Sequence, residues 1–179
     1  MRILIGVLAW LSVAFGGAFS LDDLLHIERD RIGGEWIQNK QLIAFENTIK
    51  SSGKFKIIDK ELFWESTSPI ESEMKLNEKH MYIKQNNQWI IANRQYDKDI
   101  FLDIINLNFE NIKKNFNLQL SGSSQQWSIE LKPKSVILQK IFRSIFISGG
   151  RHVQMMVLTE SNGDITTTTF HNVSKLHDK

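Results

Sequence analysis

The 179-residue sequence contains no cysteine. That single absence removes structural disulfides, thiolate metal sites and cysteine nucleophiles together. Only two prolines occur, Pro69 and Pro133, each at the start of a patterned segment, and no Pro/Gly/Ser-rich linker, internal repeat or low-complexity tract divides the chain. The net charge is only +2 despite a sequence pI of about 8.8, which gives little support to nucleic-acid binding. None of His26, His80, His152, His171 and His177 has the i,i+4 or His-x-His spacing of a metal site. There is no Gly-x-Ser-x-Gly elbow. Gly149-Gly150-Arg151 precedes no helix start and so is no phosphate loop. Asp97 and Asp99 read as helix-cap or first-turn acids, and Asp103 as part of an exposed face, rather than as a carboxylate cluster. The sequence therefore predicts no enzyme, no cofactor and no metal.

What remains is ordinary globular composition, 41% hydrophobic and 23% charged, in a chain long enough to bury a sizeable core as one domain. Residues 1–20, MRILIGVLAWLSVAFGGAFS, carry Arg2 and then no charge from Ile3 to Phe19. Ala18 and Ser20 occupy the −3 and −1 positions of a cut before Leu21, the pattern of a secretory signal peptide. An N-terminal membrane anchor is the alternative, but Gly6, Ser12, Gly16 and Gly17 dilute the apolar run. No cysteine follows the cut, so residues 21–179 are expected as an exported, unlipidated single domain.

Past a short helix expected from Ser20 or Asp22 to about Ile32, stopped by Gly33-Gly34, the apolar period becomes two. Phe55 and Ile57 alternate with lysines, Met74 and Leu76 with Lys75 and Asn77, and Trp127, Ile129 and Leu131 with polar residues. Tight polar turns separate the runs, and Asn162-Gly163 has the composition of a type I′ hairpin. Counting gives about eleven strands in an antiparallel meander. Two helical insertions break it. One, from Asp97 to about Phe116, carries Ile100, Phe101, Ile104, Ile105 and Leu107 on one face, with Phe109, Ile112 and Phe116 on a second helix; the other is capped by Ser135. The fold class is mainly β with a helical lid: a curled antiparallel sheet of about eleven strands whose apolar face the helices must cover. That face is expected to hold Trp36, Phe55, Trp64, Trp89 and Trp127, rigid rings that pack imperfectly on a curved surface and can leave room for a chain-like ligand. A simply filled core is the plainer alternative.

Residues 33–76 resemble the opening third of the LolA-like periplasmic lipoprotein-carrier family. The resemblance rests on Gly34, Trp36 and Gln38, on the stretch from Ile49 to Phe55, on Leu62-Phe63-Trp64-Glu65-Ser66 and on Pro69-Ile70-Glu71-Ser72. Beyond Leu76 it rests on the order of elements. It implies an incomplete β-barrel under a helical lid, and a monomeric, non-enzymatic periplasmic carrier. Such a carrier takes acylated lipoprotein from an inner-membrane release complex to an outer-membrane acceptor. Relatives with glycolipid or polyene-lipid cargo, or an interaction domain that binds no lipid, are the alternatives. The acyl-chain lining expected on this footing is Trp36, Phe55, Trp64, Met74, Trp89, Phe101, Ile104, Leu107 and Phe116, acting by dispersion contact. Carriers resembling LolA often place a lid-locking Arg before the Leu-x-x-Trp strand; here Lys60 stands nearest, without the bidentate fork of Arg.

Overall fold

The computed structural model describes residues 19–92 and 98–177; residues 1–18, most of the expected export signal, and Asp97 lie outside the described residues. Eleven strands form one antiparallel sheet: β1 (Ile32–Leu42), β2 (Asn47–Ile58), β3 (Glu61–Ser68), β4 (Ser72–Leu76), β5 (Met81–Gln85), β6 (Gln88–Ile91), β7 (Phe116–Gly122), β8 (Trp127–Pro133), β9 (Phe142–Gly149), β10 (Val153–Glu160) and β11 (Ile165–Lys175). Between β6 and β7 run the helices α1 (Lys98–Ile105) and α2 (Phe109–Asn115); α3 (Val136–Gln139) joins β8 to β9.

The spatial order is β6-β5-β4-β3-β2-β1-β11-β10-β9-β8-β7. The sheet is thus two meanders, β1–β6 and β7–β11, fused where the first strand pairs with the last. In that seam Trp36 stands opposite Phe170 and Gln38 opposite Thr168. The two edge strands, β6 and β7, do not pair with each other, so the barrel stays open. The chain that links one edge to the other is the one that carries α1 and α2, which places a lid beside the opening.

Local chemistry explains the tight connections. Asp59-Lys60 and Asn86-Asn87 each hold both residues at positive φ (52° and 65°; 50° and 62°), the twist a two-residue hairpin demands. Asn162-Gly163 departs from the expected type I′ turn: of the two only Gly163 has positive φ, because the connection spans residues 161–164 and is tied by side chains. Asn162 and Asp164 bond each other, and the Asp164 carboxylate also accepts the Ile43 N–H at 3.0 Å.

The N-terminal helix is shorter than expected. A 3₁₀ turn, Leu21–Leu24, ends early, and Gly33-Gly34 fall inside β1. Beyond the turn the chain is captured by another element: Glu28 N–H bonds the Arg151 carbonyl at 3.0 Å, and Arg151 and Lys175 both reach the Glu28 carboxylate. Leu24 and Ile27 are buried there, closing that end of the barrel. The third helix keeps its Ser135 cap, which accepts from Leu138 N–H, but Val136 points to solvent; Leu138 packs on the core.

Candidate functional site

Strand register sorts the side chains into two faces. Across β2–β6 the directly opposed residues Phe55, Trp64, Met74, Ile83 and Ile90 share the inward face. The neighbouring row Lys54, Glu65, Glu73, Lys84 and Trp89 shares the outward face. Trp89 therefore departs from the expected apolar face. It is 43% exposed and its ring lies beside the Lys84 ammonium, which is ion-paired to Glu73 at 2.7 Å. The alternation shifts here because the Asn86-Asn87 turn fixes the register of β6 against β5.

The inward aromatics form one packed cluster. Trp36 and Trp64 stack with ring centroids 4.5 Å apart, and Phe170 meets both Phe55 and Trp64 edge-on. The Trp36 indole N–H donates to the Lys54 and Glu65 carbonyls, each at 3.2 Å, which anchors the ring over Gly53, its cross-strand partner. An added Cβ on Gly53 would overlap the Glu65 carbonyl oxygen, so this position has room only for glycine. Phe101, from the lid, meets Trp64 edge-on at 6.2 Å.

Beside this cluster lies an apolar cavity of about 200 Å³ between α1 and the β9–β11 wall. Ile100, Phe101 and Ile104 form its lid side; Phe142, Ile145, Met156 and Leu158 form its floor, with Met81 at one flank. Its polar lining is confined to the fusion seam. Gln38, Thr166 and Thr168 line it there, and Gln38 Nε2 donates to Thr168 Oγ1 at 3.0 Å. Just beyond, Lys40 and Glu160 pair at 2.7 Å.

Of the residues expected to line an acyl site, Phe101 and Ile104 lie on this cavity. Trp36, Phe55 and Trp64 are in the adjoining aromatic cluster, and Phe55, Trp64, Met74 and Trp89 border a separate open depression of about 520 Å³. Leu107 and Phe116 are fully buried, the first at the α1–α2 turn with φ 48°, the second at the start of β7 opposite Pro133. The floor residues were missed because their strands are remote in sequence from the aromatic half. Alternation in β9 and β10 carries the signal, but only the β1–β11 pairing shows that it faces the lid.

Among the described residues, polar ties fasten the lid within itself and to the barrel. Asp103 is half-buried rather than exposed: its Oδ1 accepts from Asn108 Nδ2 and Asn111 Nδ2 at 3.0 and 3.1 Å, which fastens α1 to α2. Asn106 Nδ2 donates to the Lys60 carbonyl at 3.2 Å. Lys60 thus meets the lid through its backbone, at a turn residue with φ 65°. Arg29 Nη1 reaches the Leu107 carbonyl at 3.5 Å, a long contact from the N-terminal segment. At that same end, burial pushes the Glu28 carboxyl up, but the Arg151 hydrogen bond and charge, with Lys175, outweigh it and hold it below the usual range. Burial lowers the neighbouring His152, against the pull of Glu28 and with the push of Arg151.

No family profile matches the sequence, and a search of curated proteins finds no match. By structure the chain is similar to the crystal structure of MucB, with a TM-score of 0.52 at 9% identity over 89% of this chain and 59% of that one. The chain therefore spans less than two thirds of MucB's length. Lower similarity links it to a DUF1329 family protein from Desulfovibrio piger (TM-score 0.46, 10% identity, 87% of this chain and 89% of that one). The lipoprotein LppX of Mycobacterium tuberculosis follows (TM-score 0.44, 9% identity, 89% and 93%). The architecture is a LolA-like incomplete barrel with a helical lid, the fold that the sequence resemblance implies.

Proposed function

We propose that this protein is an extracytoplasmic carrier of acyl lipid that shields an acyl chain beneath the α1–α2 lid. The carrying observation is the cavity: its wall is apolar except at the seam, and one side of it is α1, a helix of eight residues too short to be stable alone. A volume of about 200 Å³ admits roughly seven groups of about 30 Å³, the share of a water molecule and close to that of a methylene. Burying seven methylenes gains about 6 kcal/mol at about 0.8 kcal/mol each. A longer chain requires the lid to lift, breaking the Asn106–Lys60 tie and parting Phe101 from Trp64 while the Asp103 bonds keep α1 and α2 together.

In the periplasm, the compartment that the leader and the resemblance support, the cargo would be the acyl chains of lipoproteins passing from the inner towards the outer membrane. A glycolipid or polyene chain would meet the same wall. The test is titration with a fluorescent fatty-acyl probe. Wild type is expected to bind it, and Phe101→Asp with Ile104→Asp is expected to lose it by about a hundredfold, since each substitution sets a charge against the chain. Far-UV circular dichroism should keep its β signature. Equal probe binding by the double variant, or none by wild type, would overturn the reading.

A further inference from the structure

Three connections meet at the barrel end opposite the Glu28 cluster. The β1–β2 connection is fastened to the β10–β11 turn by the Ile43 N–H to Asp164 bond. The same turn is fastened to the end of α3 by Ser161, whose N–H bonds the Ile141 carbonyl and whose hydroxyl bonds the Lys140 carbonyl. The tip so assembled presents large apolar side chains to solvent: Phe45 at 77% exposure, Val136 at 68%, Ile137 at 66% and Ile43 at 52%. Isolated exposed apolar residues need no explanation, but four on two linked elements do.

Around α3 the charge is predominantly positive. From Leu131 to Thr159 the chain has no Asp or Glu, while Lys134, Lys140 and Arg143 flank α3 and are exposed. The Lys134 ammonium reaches the Lys113 carbonyl, which brings the exposed Lys113 and Lys114 of α2 to the same end. The acids at this end are Glu46, exposed beside Phe45; Glu110, 4.0 Å from the Lys114 ammonium; Glu160, ion-paired to Lys40; and Asp164, hydrogen-bonded as above. The cavity wall reaches this end as well, through Phe142, Leu158 and Thr166 at the adjoining strand ends.

We propose that this tip is a docking site for an anionic phospholipid bilayer: the apolar side chains of the β1–β2 connection and α3 insert, and the surrounding lysines and Arg143 meet lipid phosphates. An apolar tip inside a cationic fringe is complementary to a negatively charged headgroup layer over hydrocarbon, and to neither water nor a neutral protein groove. The inference does not depend on what the cavity holds.

The test is co-sedimentation with vesicles of phosphatidylcholine alone or with phosphatidylglycerol, using protein recovered after export with the same N-terminus in every variant. Wild type is expected to pellet with the anionic vesicles and to be released by salt. Phe45→Asp with Ile137→Asp should weaken binding by tenfold or more, and Lys134→Glu with Lys140→Glu should remove the preference for anionic lipid. Because the chain has no cysteine, a second readout is available whether or not those variants fold. Ile137→Cys labelled with an environment-sensitive dye should shift to the blue on anionic vesicles, and Ser124→Cys, at the opposite end, should not. Absence of sedimentation, unchanged binding in the Asp variant, or equal dye response at both positions refutes the proposal. Probe uptake in the fatty-acyl titration is scored separately, so a soluble carrier that ignores membranes is distinguished from a protein that carries nothing.

Discussion

The Gln38–Thr168 hydrogen bond crosses the seam between the first and last strands and lines the cavity, so it tests both the topology and the apolar site. Thr168 is 1% exposed; Gln38 is half-buried. Thr168→Val keeps the shape and removes the acceptor, which leaves the Gln38 amide pointing at methyl groups. An unsatisfied buried donor costs about 1–3 kcal/mol, and the partial exposure of Gln38 puts the expected loss near the lower half, about 1–2 kcal/mol. For a domain of this size that corresponds to a melting point lower by about 2–8 °C. Gln38→Leu combined with Thr168→Val removes both partners and should recover most of the loss, giving a coupling of about 1 kcal/mol in a urea-unfolding cycle. It also makes the cavity wall more apolar, so the double variant should bind a fatty-acyl probe at least as tightly as wild type. Additive losses in the cycle would show that the two side chains do not interact. Weaker probe binding in a double variant of normal stability would show that the cavity prefers a polar ligand.

Two further predictions concern stability. Gly53→Ala should cost about 3 kcal/mol, because its Cβ must displace the Glu65 carbonyl and with it the Trp36 indole bond, and a urea melt measures it. Burial lowers the pKa of His152, so the unfolded chain binds more protons than the folded one as pH falls below 6.5. Stability is then full above that value and declines as pH drops towards the folded pKa. Glu28, also lowered, adds a loss in the same direction below 4.5. His152→Gln should flatten the upper part of this slope in melts recorded from pH 8 to 4.

Much of the fold is legible because its strands bury one face. Lys54-Phe55-Lys56-Ile57 can satisfy a half-wet sheet in only one register, and Asp59-Lys60 can close only a tight turn. The lid is legible for the same reason, since Ile100, Phe101 and Ile104 repeat at helical spacing. What the pattern does not carry is long-range pairing. Nothing local to Trp36 says that its neighbour across the seam is Phe170, and so Met156, Leu158 and Thr168 could not be assigned to the cavity from sequence. Nor does local pattern show that the segment after Leu24 will be taken by Arg151 instead of continuing as helix. Trp89 illustrates the converse error. Its size suggests the interior, yet the two-residue turn before it decides the face, and it stands in the row of Lys84 and not in that of Ile83. At Lys60 the tie to the lid among the described residues is made by the backbone carbonyl, which side-chain pattern does not signal.

The carrier reading is tested most directly by native mass spectrometry of the protein purified after export without detergent, with bound material identified after organic extraction. The account predicts an adduct whose extract contains an acyl chain, present in wild type and absent from the Phe101→Asp, Ile104→Asp variant. A clean unliganded mass that does not change when acyl lipid is added would contradict it, and would mean that the space beneath the lid is packing and not a binding site.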